Sequence, residues 1–190
     1  MNNLEKGSPQ ALDHVLYEMG MLLATSRTLR GRIGIPLTRS AYIESFVTHL
    51  RNLDEFFQGT GRDSDTMRPK DFIREFPMNY VAHPLIKRMH QEIAHLTYMR
   101  KQPHEPKGWP IAKALQPMVP WCLRFLGAVW NDETLMGYND NRPRTLRLIN
   151  SFDALNAGNM TEPSGDCISP EVASTSSTGS TVGSSDESLL

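Results

Sequence analysis

The 190-residue chain predicts an all-α fold, an antiparallel helical bundle of four to five helices followed by a disordered C-terminal tail. Three observations carry that prediction. Apolar residues recur at three- and four-residue steps through most of the first 156 positions, proline and glycine punctuate these runs, and no segment sustains the two-residue alternation of a half-buried strand. The length suits one domain over residues 1–156, large enough to bury a core without staples, with a tail over 157–190.

Ser8-Pro9 opens the first helix, a hydroxyl cap followed by proline at a position where its missing N–H costs nothing. Leu12, Val15, Leu16, Met19, Leu22 and Leu23 share one face, and Gly31 with Gly34-Ile35-Pro36 stops the pattern. His14 and Glu18 fall off that stripe and read as part of the solvated face. Thr38 or Ser40 caps a second helix, whose apolar face is Tyr42, Phe46, Leu50, Leu53, Phe56 and Phe57, ended by Gly59 and Gly61. His49 lies inside that arc and reads as a core histidine with one or two hydrogen bonds. Arg51 lies opposite it, with Glu55 at i+4.

From Gln58 to Pro84 the long-range period disappears, so a loop with one short turn at Asp71 to Phe76 is expected, covering one end of the core with Phe72, Ile73, Phe76 and Tyr80. Pro84 stands early in a third helix, over Leu85 to Lys101 (LIKRMHQEIAHLTYMRK). Ile86, Met89, Ile93 and Leu96 form its core stripe, while Arg88 and His95 fall ~20° apart on the adjacent flank. Trp109-Pro110 starts a fourth helix that Pro117 and Pro120 kink, ending near Trp130 with Trp121, Cys122, Phe125, Leu126 and Val129 on its apolar side. Arg142 to Leu155 forms a short fifth helix, with Leu146, Ile149 and Phe152 at helical spacing. The Ser/Thr/Gly-rich remainder has too little apolar surface to offset chain entropy.

Charge is uneven along the chain. The first 160 residues hold all 20 Lys and Arg and 16 of the 21 Asp and Glu, a net of +4, so the body is mildly basic and the tail acidic. That tolerates a nucleic-acid partner without the dense basic footprint of a dedicated binder. Cys122 and Cys167 make neither a disulfide framework nor a zinc spacing. A signal-peptide layout is missing at the N-terminus, and no apolar run approaches ~18 residues. The expectation is a soluble, cytoplasmic protein with no membrane association.

The segments ESFVTHLRNLDEFF (Glu44 to Phe57) and KRMHQEIAHLTYMRK (Lys87 to Lys101) resemble those of a group of small prokaryotic helical proteins, which look like relatives of the HEPN superfamily. The resemblance covers about half the chain. It implies a helical bundle in which active members are metal-independent ribonucleases, of toxin, defence or stress type, with an Arg-x(4 to 6)-His motif. Arg88 to His95 fits, with six intervening residues. The position after the arginine, commonly polar in active members, is Met89 here.

The residue types suit such chemistry. Metal-free RNA cleavage needs a base of near-neutral pKa to take the 2′-hydroxyl proton and a fixed cation for the charge developing on phosphate, roles for His95 and Arg88. Seven residues separate the two by ~10.5 Å along a helix axis, so one helix leaves the site half-built. The resemblance implies a homodimer, with Arg88 and His95 of both subunits facing one cleft. Lys87, Gln91 and Tyr98 are the expected RNA contacts, with Glu92 and His49 supporting; if the pair is inert, Arg88 instead pairs with Glu92 at i+4 and His95 makes a packing contact.

Two readings stay open. In the other, the same core is a non-catalytic helical module for a protein or nucleotide partner, with Arg88 and His95 inert. Glu92-Ile93-Ala94-His95 has the Glu-x-x-His spacing of di-iron bundles, but those need a second such motif and two more glutamates, and the chain has only this one. Neither metal nor cofactor is expected.

Overall fold

In a computed structural model, which describes residues 5–31, 36–59, 66–89, 91 and 110–157, the helical periodicity resolves into eight helices, with no strand among the described residues. They are α1 (Pro9–Arg30), α2 (Pro36–Gln58), α3 (Pro69–Phe72), α4 (Pro84–Met89), α5 (Ile111–Leu115), α6 (Val119–Trp130), α7 (Glu133–Met136) and α8 (Asn141–Asn156). The predicted tail lies outside the described residues, apart from Ala157. So does the predicted third helix beyond α4, Gln91 excepted.

The first helix begins as its sequence predicts. Ser8 Oγ accepts from the Ala11 N–H at 3.2 Å, with Pro9 in the first turn and Arg27 and Arg30 near the carbonyl end, where cations complement the helix dipole. The six apolar residues of its predicted stripe are buried, and the buried face also holds Thr25 and Ser26. Those two hydroxyls satisfy themselves locally, Thr25 donating to the Met21 carbonyl (2.7 Å) and Ser26 to that of Leu23 (2.9 Å).

The second helix starts at Pro36, earlier than a cap at Thr38 or Ser40 implies. Proline at the first helical position is preorganised for it. Its early residues Leu37 to Tyr42 are exposed, so Tyr42, expected in the core, is 37 % accessible. Burial starts in earnest at Phe46. Gly59 then ends the helix at φ +60°, a conformation that costs glycine little.

The expected cover over one end of the core is present. Phe76 and Tyr80 are buried and Phe72 and Ile73 partly so; the turn expected at Asp71 to Phe76 is closed by the Phe76 N–H on the Ile73 carbonyl at 3.0 Å, directly after α3. Phe56 meets Phe125 edge-on at 5.1 Å, Phe57 lies 6.2 Å from Phe76, and Tyr80 stands edge-on to Trp121 at 5.3 Å. Each such pair adds about 0.5–1.5 kcal/mol beyond burial. Gly7, at φ +71°, lets the N-terminal segment approach the Asp71 backbone, where an added Cβ would stand 2.0 Å from the carbonyl oxygen.

The fourth predicted helix is split rather than kinked. Pro117 separates α5 from α6, and Pro120 falls in the first turn of α6, where a missing N–H is harmless. Trp130 ends α6 as expected. The extra turn α7 follows because Asp132 accepts from the Thr134 (2.9 Å) and Leu135 (3.1 Å) N–H groups. In α8 the buried face is Asn141, Thr145, Leu148, Phe152 and Leu155, leaving Leu146 47 % exposed, ~100° around from Thr145.

Neighbouring helices are not all antiparallel. α2 packs along α1, with Glu18 meeting His49 and Asn52, and α8 runs in the same sense as α1. Asn141 donates to the Pro9 carbonyl (3.2 Å), Arg144 pairs with Asp13, and Arg27 donates to Ser151 Oγ at 2.9 Å, so numbers rise together on both helices. A short loop dictates an antiparallel neighbour; the long path from α1 to α8 does not.

Candidate functional site

On α4 the alternation of buried and exposed positions follows the predicted register. Ile86 and Met89 are buried at 2 % and 0 %, while Lys87 and Arg88 face solvent. Met89 is therefore a core residue, which accounts for an apolar side chain beside Arg88. His83 opens this helix, its Nδ1 accepting from the Leu85 N–H at 3.2 Å and its carbonyl from Ile86 at 2.9 Å. Gln91 is exposed. His95, Glu92 and Tyr98 lie outside the described residues, as does the lone Glu-x-x-His spacing.

The described polar chemistry concentrates instead at the seam between α1 and α2. His49, 8 % exposed, meets Glu18 across 2.7 Å from its Nδ1 to Oε2. A carboxylate only accepts, so the imidazole carries its proton on Nδ1. Asn52 donates its amide to the same Glu18 oxygen at 3.1 Å, and Tyr17 stands edge-on to the imidazole, centroids 6.0 Å apart. Glu18 is thus no member of a free solvated face: it is half-buried and holds two α2 side chains. The histidine expected in the core with one or two hydrogen bonds has this one.

Beside this pairing opens a cleft of about 330 Å³. Val15, Leu53, Phe56 and Met67 supply apolar walls; His14, Glu18, Asn52, Glu55 and Thr66 supply polar ones. His14, expected on the solvated face, is exposed at this cleft. Arg51 donates from Nε to Glu55 Oε1 at 2.7 Å, the i+4 pair read from the sequence.

A second polar group is sealed deeper in α2. Asp54, 8 % exposed, accepts from Tyr80 Oη at 2.6 Å and from Gln58 Nε2 at 2.5 Å. Burial raises its carboxyl above the ordinary value, against the lowering effect of those two hydrogen bonds, and Glu55 adds to the rise. Tyr80 is pushed up as well, first by burial and then by Asp54. Burial raises the Cys122 thiol, which packs in the core.

Asp54 was legible in part, since ~40° separates it from Leu50 on the helical wheel, inside the apolar arc, and Gln58 follows at i+4. Its partner Tyr80 carries no such signal. Among the described residues no group of three or more His, Cys, Asp and Glu could hold a metal ion, and no helix is long and apolar enough to cross a membrane. Comparison with protein families, curated proteins and solved structures finds no match to this chain.

Proposed function

We propose that the chain is a HEPN-like helical protein that cleaves RNA without a metal, using Arg88 and His95. The observation that supports this reading is the register of α4, which sends Ile86 and Met89 into the core and Arg88 to solvent. In the same register the sequence sets His95 on the flank of Arg88. His95 takes the proton of the 2′-hydroxyl, the 2′-oxygen bonds to phosphorus as the bond from phosphorus to the 5′-oxygen breaks, and the 5′-oxygen leaves with a proton taken from water, producing a 2′,3′-cyclic phosphate. Arg88 balances the charge that builds on the phosphoryl oxygens. A homodimer brings two such pairs to one cleft, with Lys87, Gln91 and Tyr98 along the RNA and His49 supporting from α2.

The second reading is a non-catalytic helical binding module. It is favoured by the α1/α2 cleft, whose apolar walls and polar rim are the usual make-up of a small-ligand site.

Incubating wild type and His95→Ala with structured RNA in excess EDTA separates the two. Cleavage by wild type alone, with cyclic phosphate ends and an unchanged melting temperature in the variant, supports the ribonuclease. Silence from wild type overturns it and leaves the binding module.

A further inference from the structure

The polar walls of the α1/α2 cleft are biased toward one charge. Among the described residues that line it, the formally charged ones are Glu18 and Glu55, with no Lys or Arg. Glu55 already has the Arg51 guanidinium. Glu18 differs, because its Oε2 receives an imidazole N–H and an amide N–H, neither of them a permanent cation. Those two bonds fix the carboxylate at the seam, with its side chain 24 % exposed. A preorganised, partly desolvated carboxylate attracts a cation more strongly than one in open water.

The rest of the lining is largely apolar. Val15, Leu53 and Phe56 are core residues whose surfaces also border the cleft, joined by Met67. An aromatic side chain and a thioether in the same lining as a carboxylate suit a cation with a hydrophobic body, which needs apolar contact as well as a counter-charge. About 330 Å³ accommodates a small ligand of that kind.

We propose that the α1/α2 cleft binds a small organic cation, its ammonium or guanidinium group on Glu18 and its apolar body against Val15, Leu53, Phe56 and Met67. Asn52 and His14 at the rim offer further acceptors for the ligand's N–H groups. The proposal rests on the binding reading above and gives it a ligand class; it is independent of RNA cleavage.

The test is calorimetric titration of the full chain with phenethylammonium and agmatine, alongside neutral 2-phenylethanol and anionic phenylacetate. Both cations are expected to bind, and the aromatic one to do so at least tenfold more tightly than its neutral isostere. Glu18→Gln keeps an oxygen acceptor for His49 and Asn52, so it folds while losing at least tenfold in cation affinity. In wild type, saturating cation raises the melting temperature; Met67→Trp, which fills the cleft, abolishes that shift. Equal binding of 2-phenylethanol, or undiminished cation binding by Glu18→Gln, overturns the cation assignment while leaving a ligand cleft. Failure of every probe to bind at millimolar concentration overturns the cleft as a binding site as well.

Discussion

Tyr80 donates its hydroxyl to the Asp54 carboxylate at 2.6 Å, tying the extended segment between α3 and α4 to the core face of α2. The bond joins a loop with no regular backbone pairing to a helix that has its full complement. It anchors the cover of the aromatic core to α2.

Tyr80→Phe keeps the ring that stands on Trp121 but removes the donor, leaving Asp54 with Gln58 alone. A loss of about 1–3 kcal/mol is expected, the cost of stranding a buried acceptor. Urea unfolding monitored by far-ultraviolet circular dichroism measures it, and an unchanged midpoint would show that the bond is not a stability determinant.

Asp54 also sets a pH dependence. Because burial raises its folded-state pKa, the folded chain binds this proton more tightly than the unfolded chain does. The contribution is fully present below the ordinary carboxylate value and is lost as pH rises through the raised one. Asp54→Asn should flatten that part of the stability profile relative to wild type, read from unfolding midpoints as pH rises from the ordinary carboxylate value. Parallel profiles for the two proteins would contradict the shift.

The aromatic cluster predicts a contrast within one helix. Phe57 is fully buried among Phe76, Tyr80, Trp121 and Phe125, and Phe57→Ala is expected to cost ~3–5 kcal/mol. Tyr42→Ala, at an exposed position of the same helix, should stay within about 0.5 kcal/mol. Comparable losses at both sites would mean that the exposed start of α2 is covered in solution.

Glu18 and His49 should behave as a coupled pair across the α1/α2 seam. A double-mutant cycle with Glu18→Ala and His49→Ala is expected to give an interaction energy of about 0.5–3 kcal/mol. Additive single effects would reduce the pairing to proximity.

Asp132 is the cap that makes α7 a helix. Asp132→Ala should cost about 1 kcal/mol, with amide exchange accelerating first at Thr134 and Leu135, whose N–H groups lose their acceptor. Glu133→Ala, which removes the exposed pair with Arg142, serves as the control with a smaller effect.

What the sequence determined by itself was the local order. Helical periodicity is a short-range property, so Leu12 to Leu23, Phe46 to Phe57 and Cys122 to Val129 declared their buried faces without reference to anything else. Ser8, Pro9 and Gly59 likewise marked boundaries through backbone chemistry that acts within a turn. Which polar groups meet was decided only by tertiary structure. Glu18 finds His49, Asp54 finds Tyr80 and Asp13 finds Arg144 across 31, 26 and 131 positions of chain. No periodicity encodes such distances. Folding brings Asp54 and the partly buried Glu18 to their donors because an unpartnered buried charge is costly, a cost that exists only once the helices have packed, whereas the more exposed Asp13–Arg144 pair is a consequence of that packing. The parallel course of α1 and α8 has the same origin: short loops dictate direction, and the chain between those two helices is long enough to leave direction to packing.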